Sequence, residues 1–204
     1  MSYKIGVYGS NIVESEHALS LARQLGQALA ERGCIVITGA CSGMPYAVAR
    51  AAFERGAEVW GFTPALNLDE HRRAYPRDDV GIYHRLIYVP PGYHDLFGLA
   101  PATPDRDWGA RLKYRNVIST VNSDAGLIIS GGWGTLNEFT NLIYEGKPIG
   151  VLVGSGGLAN ELPTWYPRLR KKTASPVLFA EDPTKLLSLV LQCLEEASTG
   201  QHQQ

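Results

Sequence analysis

Gly131-Gly132-Trp133-Gly134-Thr135-Leu136-Asn137-Glu138 follows an apolar run, Ala125 to Ser130, and precedes a helix-like stretch, Phe139 to Tyr144. The order reads as strand, glycine turn and helix N-terminus. Three glycines let the backbone approach a ligand and present N–H groups to it. The helix behind them adds its unpaired first-turn donors and the positive end of its dipole, a combination that suits phosphate. Thr135 can contribute a hydroxyl. Glu138, read as a first-turn residue, would lie beside whatever the loop holds, with the helix dipole keeping its carboxylate ionised. The plain alternative is a glycine turn made for tight packing and a glutamate serving as a cap.

Outward from this turn, the chain alternates. Lys4 to Tyr8 is a short apolar strand ended by Gly9-Ser10, and Ala18, Leu19, Ala22, Leu25, Ala28 and Leu29 recur at helical spacing up to Gly33. Ile35 to Thr38 is a second strand, followed by the turn Gly39 to Gly43. Ala47, Val48, Ala51 and Ala52 form the next helix face, and Glu58 to Phe62 the third strand. Such β-α-β-α-β order predicts a Rossmann-like α/β fold: an open parallel sheet of about six to seven strands with helices on both faces. From 65 to 107 the alternation breaks. Prolines recur there, Arg85 to Val89 is a fourth strand, and Tyr93 to Pro104 is irregular, with Tyr93 and Phe97 as anchors. This insert reads as a lid or pocket wall, or as a plain surface excursion. Trp108 to Asn122 is helical, with Arg111 and Arg115 on one face. After the focal helix come a strand at Ile149 to Val153, a turn at Gly154 to Gly157, a short helix over Thr164 to Lys172 and a strand at Val177 to Phe179. A final helix is opened by Asp182-Pro183. The expected organisation is one domain over 1–197 with a polar tail at 198–204.

Lys plus Arg total 19 and Asp plus Glu 20 of 204 residues, a net charge of −1 that does not resemble a nucleic-acid footprint. No apolar run reaches the roughly 18 residues of a membrane span. Met1 to Lys4 enters strand sequence directly, unlike a signal peptide. Cys34, Cys41 and Cys193 are scattered, and no histidine pair has metal-ligand spacing. The expectation is a reduced, cytoplasmic protein with no metal and no cofactor. No histidine stands beside Cys41, which reads as a turn residue rather than a nucleophile; Arg72, Arg73 and Arg77 read as a solvated loop.

In parallel sheets, ligands sit beyond the carboxyl ends of the strands. The turns at Gly9-Ser10-Asn11, Gly39 to Met44 and Gly131 to Thr135 should open on that one edge, making Gly9, Ser10, Gly39, Ser42 and Gly43 ligand contacts alongside Gly131, Gly132, Trp133, Gly134 and Thr135. Trp133 would be a pocket wall or a packing anchor. The first strand lacks G-x-G-x-x-G and no glycine run carries G-K-[ST], which disfavours dinucleotides and triphosphate hydrolysis. A mononucleotide or sugar phosphate remains.

These residues resemble the LOG family, lysine decarboxylase-like Rossmann proteins named after cytokinin riboside 5′-monophosphate phosphoribohydrolases. The family signature is P-G-G-x-G-T-x-x-E with an arginine sixteen positions before its first paired glycine, which falls on Arg115 here. Its helix-end aspartate falls on Asp124. Gly9-Ser10, the helix segment Leu25 to Ala30 and the turn Gly39 to Gly43 match the family's N-terminal pattern. The resemblance covers about 3–64 and 108–153. It implies hydrolysis of the N-glycosidic bond of a nucleoside 5′-monophosphate to free base and ribose 5-phosphate, with Arg115 and Glu138 catalytic, and a homodimer. Ser130 stands where the signature has proline, Asn137 where a further glutamate is frequent, and the insert before Arg111 is longer. The wider circle contains molybdenum-cofactor carriers, which bind without hydrolysis, and DNA-processing DprA proteins. The alternatives are therefore a carrier of a nucleotide-like phosphate and a nucleic-acid module, the latter opposed by the near-zero charge.

Overall fold

Ile5, Val7 and Tyr8 of the first strand, Lys4–Gly9 (β1), are buried to 1% exposure or less on both faces, as a central strand of a parallel sheet requires. The computed structural model describes residues 2–90, 92–93, 104–169 and 173–200, without the side chains of 104–106 and 200. In chain order, α1 (Glu16–Glu31), β2 (Ile35–Thr38), α2 (Met44–Phe53), β3 (Val59–Thr63), α3 (Leu68–Ala74) and β4 (Arg85–Tyr88) are followed by α4 (Pro104–Asn122) and β5 (Ala125–Ile129). Then come α5 (Trp133–Tyr144), β6 (Ile149–Leu152), α6 (Gly157–Trp165), β7 (Val177–Ala180) and α7 (Pro183–Gly200). All seven strands pair in parallel, in the order β4-β3-β2-β1-β5-β6-β7. The expected fold class is the observed one.

Two apolar cores lie on the two faces of the sheet. One joins α1, α2 and α7 to the strands through residues such as Leu25, Val48 and Val190; the other joins α5 and α6 through Phe139, Leu142 and Leu162. Helix α4 packs beside α5. Strand order reverses between β1 and β5, the switch point where the carboxyl edge of such a sheet opens into a crevice.

The insert is more regular than its sequence suggests. Asn67 caps α3 by accepting from Glu70 N at 2.9 Å. This helix has seven residues and one fully buried side chain, His71, so it shows no apolar stripe. It is pinned through two adjacent residues, His71 and Glu70. His71 Nδ1 meets Thr63 Oγ1 at 2.9 Å. Arg111, buried on α4, makes two bonds of 3.0 Å to the Glu70 carboxylate, donates to Pro64 O at 2.9 Å and pairs with Asp107 at 2.9 Å. Arg111 therefore serves the wall, although it shares a helix face with Arg115.

The short helix expected at 164–172 is instead α6, Gly157–Trp165, followed by a 3-10 turn at Tyr166–Arg168. Gly154 to Gly157 reads as a turn, and Gly156, at φ +98°, is the N-cap of a helix that carries Pro163 inside it. Helix α7 continues to Gly200, into the stretch 198–204 that reads as a polar tail. Phe97, the 170–172 segment and 201–204 lie outside the described residues.

Candidate functional site

The carboxyl ends of β1, β2 and β5 open into one cavity of about 560 Å³. Gly9, Ser10 and Asn11 reach it from β1, Gly39 and Cys41 from β2, and Gly131, Gly132, Trp133, Gly134 and Thr135 from β5; Arg115 and Glu138 complete the set from α4 and α5. Two residues named from the sequence do not line it. Ser42 donates its hydroxyl to Asp78 at 2.8 Å instead. Gly43, at φ +89°, packs on the Ser10–Ile12 backbone, where Met44 N donates to Ser10 O at 2.8 Å. Both shape the β2 turn from behind. Glu14, Tyr75, Trp108, Leu112 and Asn116 line the cavity without having been singled out. Their signal is topological: they come together only once the strand order is known.

The tri-glycine turn is held by its carbonyls. Leu158 N donates to Gly131 O at 2.8 Å, Ala159 N donates to Ser130 O at 3.2 Å, and Ser130 N donates to Ser155 Oγ at 2.7 Å. The N–H groups of Gly131 and Gly132 find no acceptor among the described residues. Gly132 is the N-cap of α5 and offers no side-chain cap, so the first-turn amides from Trp133 to Thr135 keep the open valence of a helix start. Gly131 has φ +107°, and a Cβ there would run into the Thr135 side chain. Ser130 has φ +56°, which proline, fixed near −65°, cannot adopt. Serine at the signature's proline position thus accompanies a left-handed backbone, and its hydroxyl donates to Glu14 Oε1 at 2.9 Å. Trp133 is 88% exposed, so it is a rim residue and not a packing anchor.

Deeper in, Arg115 Nη1 lies 3.8 Å from Glu138 Oε1, with both side chains less than a tenth exposed. Nε of Arg115 is buried with no acceptor among the described residues. A Cβ at Gly39 would overlap Arg115 Nη1, so only glycine leaves room for the guanidinium. Burial raises the Glu138 carboxyl to about 7 against the pull of Arg115. This corrects the expected permanent anion. Glu138 is the sixth residue of α5, beyond the turn where the dipole acts, and desolvation wins. Burial opposes the Arg115 charge, while Cys41 and Glu138 favour it. The Cys41 thiol is raised by burial, which does not favour a thiolate nucleophile. Asn137 accepts from Asn116 Nδ2 at 3.0 Å, tying α5 to α4. Asp124 accepts from Lys4 N at 2.7 Å, a structural bond at the other end of the strands.

A carboxyl with a raised folded value links stability to pH. The folded chain holds the proton more tightly than the unfolded chain does, so stability from this group is full at acid pH. It is lost as pH rises from the ordinary carboxylate range to about 7. Glu138→Gln should remove that loss. Thermal melts at pH 5 and pH 8 should show a smaller drop in Tm for the variant; an equal drop in both proteins would contradict the assigned burial.

Among the described residues no cluster of three or more His, Cys, Asp or Glu could hold a metal ion, and no helix is long and apolar enough to cross a membrane. Residues 2–88 match the model of the SLOG cluster4 family, in line with the resemblance carried by the glycine turns. An uncharacterized protein of Archaeoglobus fulgidus is 28% identical over 149 residues, 73% of this chain and 79% of that protein. The structural-genomics target TM1055 superposes with a TM-score of 0.70 at 20% identity, covering 94% of this chain and 99% of the other. A molybdenum cofactor binding protein from Rippkaea orientalis gives 0.66 at 21% identity, with 95% and 98% covered. These likenesses establish a shared fold.

Proposed function

We propose that the cavity binds a nucleoside 5′-monophosphate, or a close analogue, and hydrolyses its N-glycosidic bond to free base and ribose 5-phosphate. The observation that carries this reading is the buried Arg115–Glu138 pair under unpaired glycine-turn amides. The phosphate sits on the N–H groups of Gly131, Gly132, Gly134 and Thr135, with Gly9 and Ser10 beside it. Cleavage develops positive charge on the sugar, as in glycoside hydrolysis. Glu138, titrating near neutrality, stabilises that charge, takes a proton from the attacking water and returns one towards the departing base. Arg115 orients the carboxylate and the substrate. The compartment that suits this reading is the cytoplasm.

A carrier of a nucleotide-like phosphate is the second reading, favoured by the fold shared with the molybdenum cofactor binding protein and by Ser130 and Asn137 at signature positions. Incubation with AMP and related monophosphates separates the two. Release of free base supports the hydrolase; tight binding with no release supports the carrier.

The homodimer implied by the family resemblance is also part of this proposal. Val117 and Val121 of α4 are 44% and 56% exposed, an apolar strip suited to a second copy. Light scattering should give twice the chain mass, and Val121→Glu should shift it to the monomer. A monomeric wild-type chain would remove the dimer.

A further inference from the structure

We propose that Tyr75 and Trp108 form a ring-binding wall, so that the cavity selects ligands carrying a planar heteroaromatic base over a bare sugar phosphate. This inference rests on the nucleotide reading above and adds the part of the ligand that reading leaves open.

Strand order supplies the layout. The tri-glycine turn follows β5, whereas the segment ending at Tyr75 follows β3, three strands along the same edge. That separation is about 14 Å at the usual strand spacing. Between them Arg115 lies over Gly39 at the end of β2 and faces Glu138. The edge therefore runs from anion-accepting amides, past a cation–carboxyl pair, to a wall of Tyr75, Trp108 and Leu112. A phosphate, a pentose and a base fall in that order. A phosphate gains nothing from half-buried aromatic surface, while a planar ring stacks on it and gains most.

The wall is preorganised. Arg111 holds its guanidinium 5.0 Å over the Trp108 ring while bonded to Glu70, Asp107 and Pro64 O. Tyr75 packs on His71 with ring centroids 5.2 Å apart, and His71 is fixed to Thr63. Fixed aromatic surfaces lose little freedom when a ring docks. Burial pushes the Tyr75 hydroxyl up to about 12, so the ring stays uncharged at neutral pH.

Isothermal titration of the full chain with AMP and with ribose 5-phosphate tests this. Wild type should bind AMP at least about tenfold tighter than ribose 5-phosphate. Tyr75→Leu should lose about tenfold for AMP and leave ribose 5-phosphate unchanged, while Tyr75→Phe, which keeps the ring, retains AMP affinity. Trp108→Leu should repeat the Tyr75→Leu pattern. Equal wild-type affinity for the two ligands overturns the ring wall alone. So does an equal loss for both ligands in Tyr75→Leu. Wild-type binding of neither ligand overturns the nucleotide reading and the wall together.

Discussion

Glu138→Gln should lower the rate of base release from AMP by at least about a hundredfold while leaving AMP affinity within about threefold. Glutamine matches glutamate in shape and still fits beside Arg115, but it neither takes a proton from water nor carries charge. The wild-type rate should rise as pH climbs through about 7, because the ionised carboxylate is the working form and burial has raised its titration to that range. A first-turn glutamate would have shown a flat profile there. Turnover unchanged in the variant would make Glu138 a buried structural group and would favour the carrier reading.

The second large effect concerns the buried cation. Arg115→Met keeps much of the side chain's length and removes its charge. AMP affinity should fall by about a hundredfold, the usual scale for deleting one partner of a desolvated charge contact. Glu138 would then lose the cation it pairs with, and its titration should move further up. Gly39→Ala should push affinity in the same direction by crowding Arg115 Nη1 without touching the charge itself. Calorimetry on both variants checks this; wild-type affinity in Arg115→Met would show that the guanidinium faces no ligand.

The sheet was legible because its strands are short apolar runs punctuated by glycines, and each βα unit is complete within a local window. The three turns could be assigned to one edge by topology alone. Helix α3 was hidden because seven residues with one buried side chain carry no period. The role of Arg111 was hidden because its partner Glu70 is 41 positions away. Ser42 and Gly43 do not line the cavity, because a glycine turn looks the same from sequence whether it faces that cavity or packs behind it. The charge state of Glu138 depended on burial and helix position together. The helix-like pattern in the sequence starts near Phe139, which puts Glu138 in its first turn, whereas the helix begins at Trp133.

The most direct measurement is a crystal structure of the protein with ribose 5-phosphate. Phosphate oxygens should lie about 3 Å from the N–H groups of Gly131, Gly132, Gly134 and Thr135, with the pentose against the Arg115–Glu138 pair. A phosphate bound away from this turn, or a pentose turned away from Glu138, would contradict the proposed site.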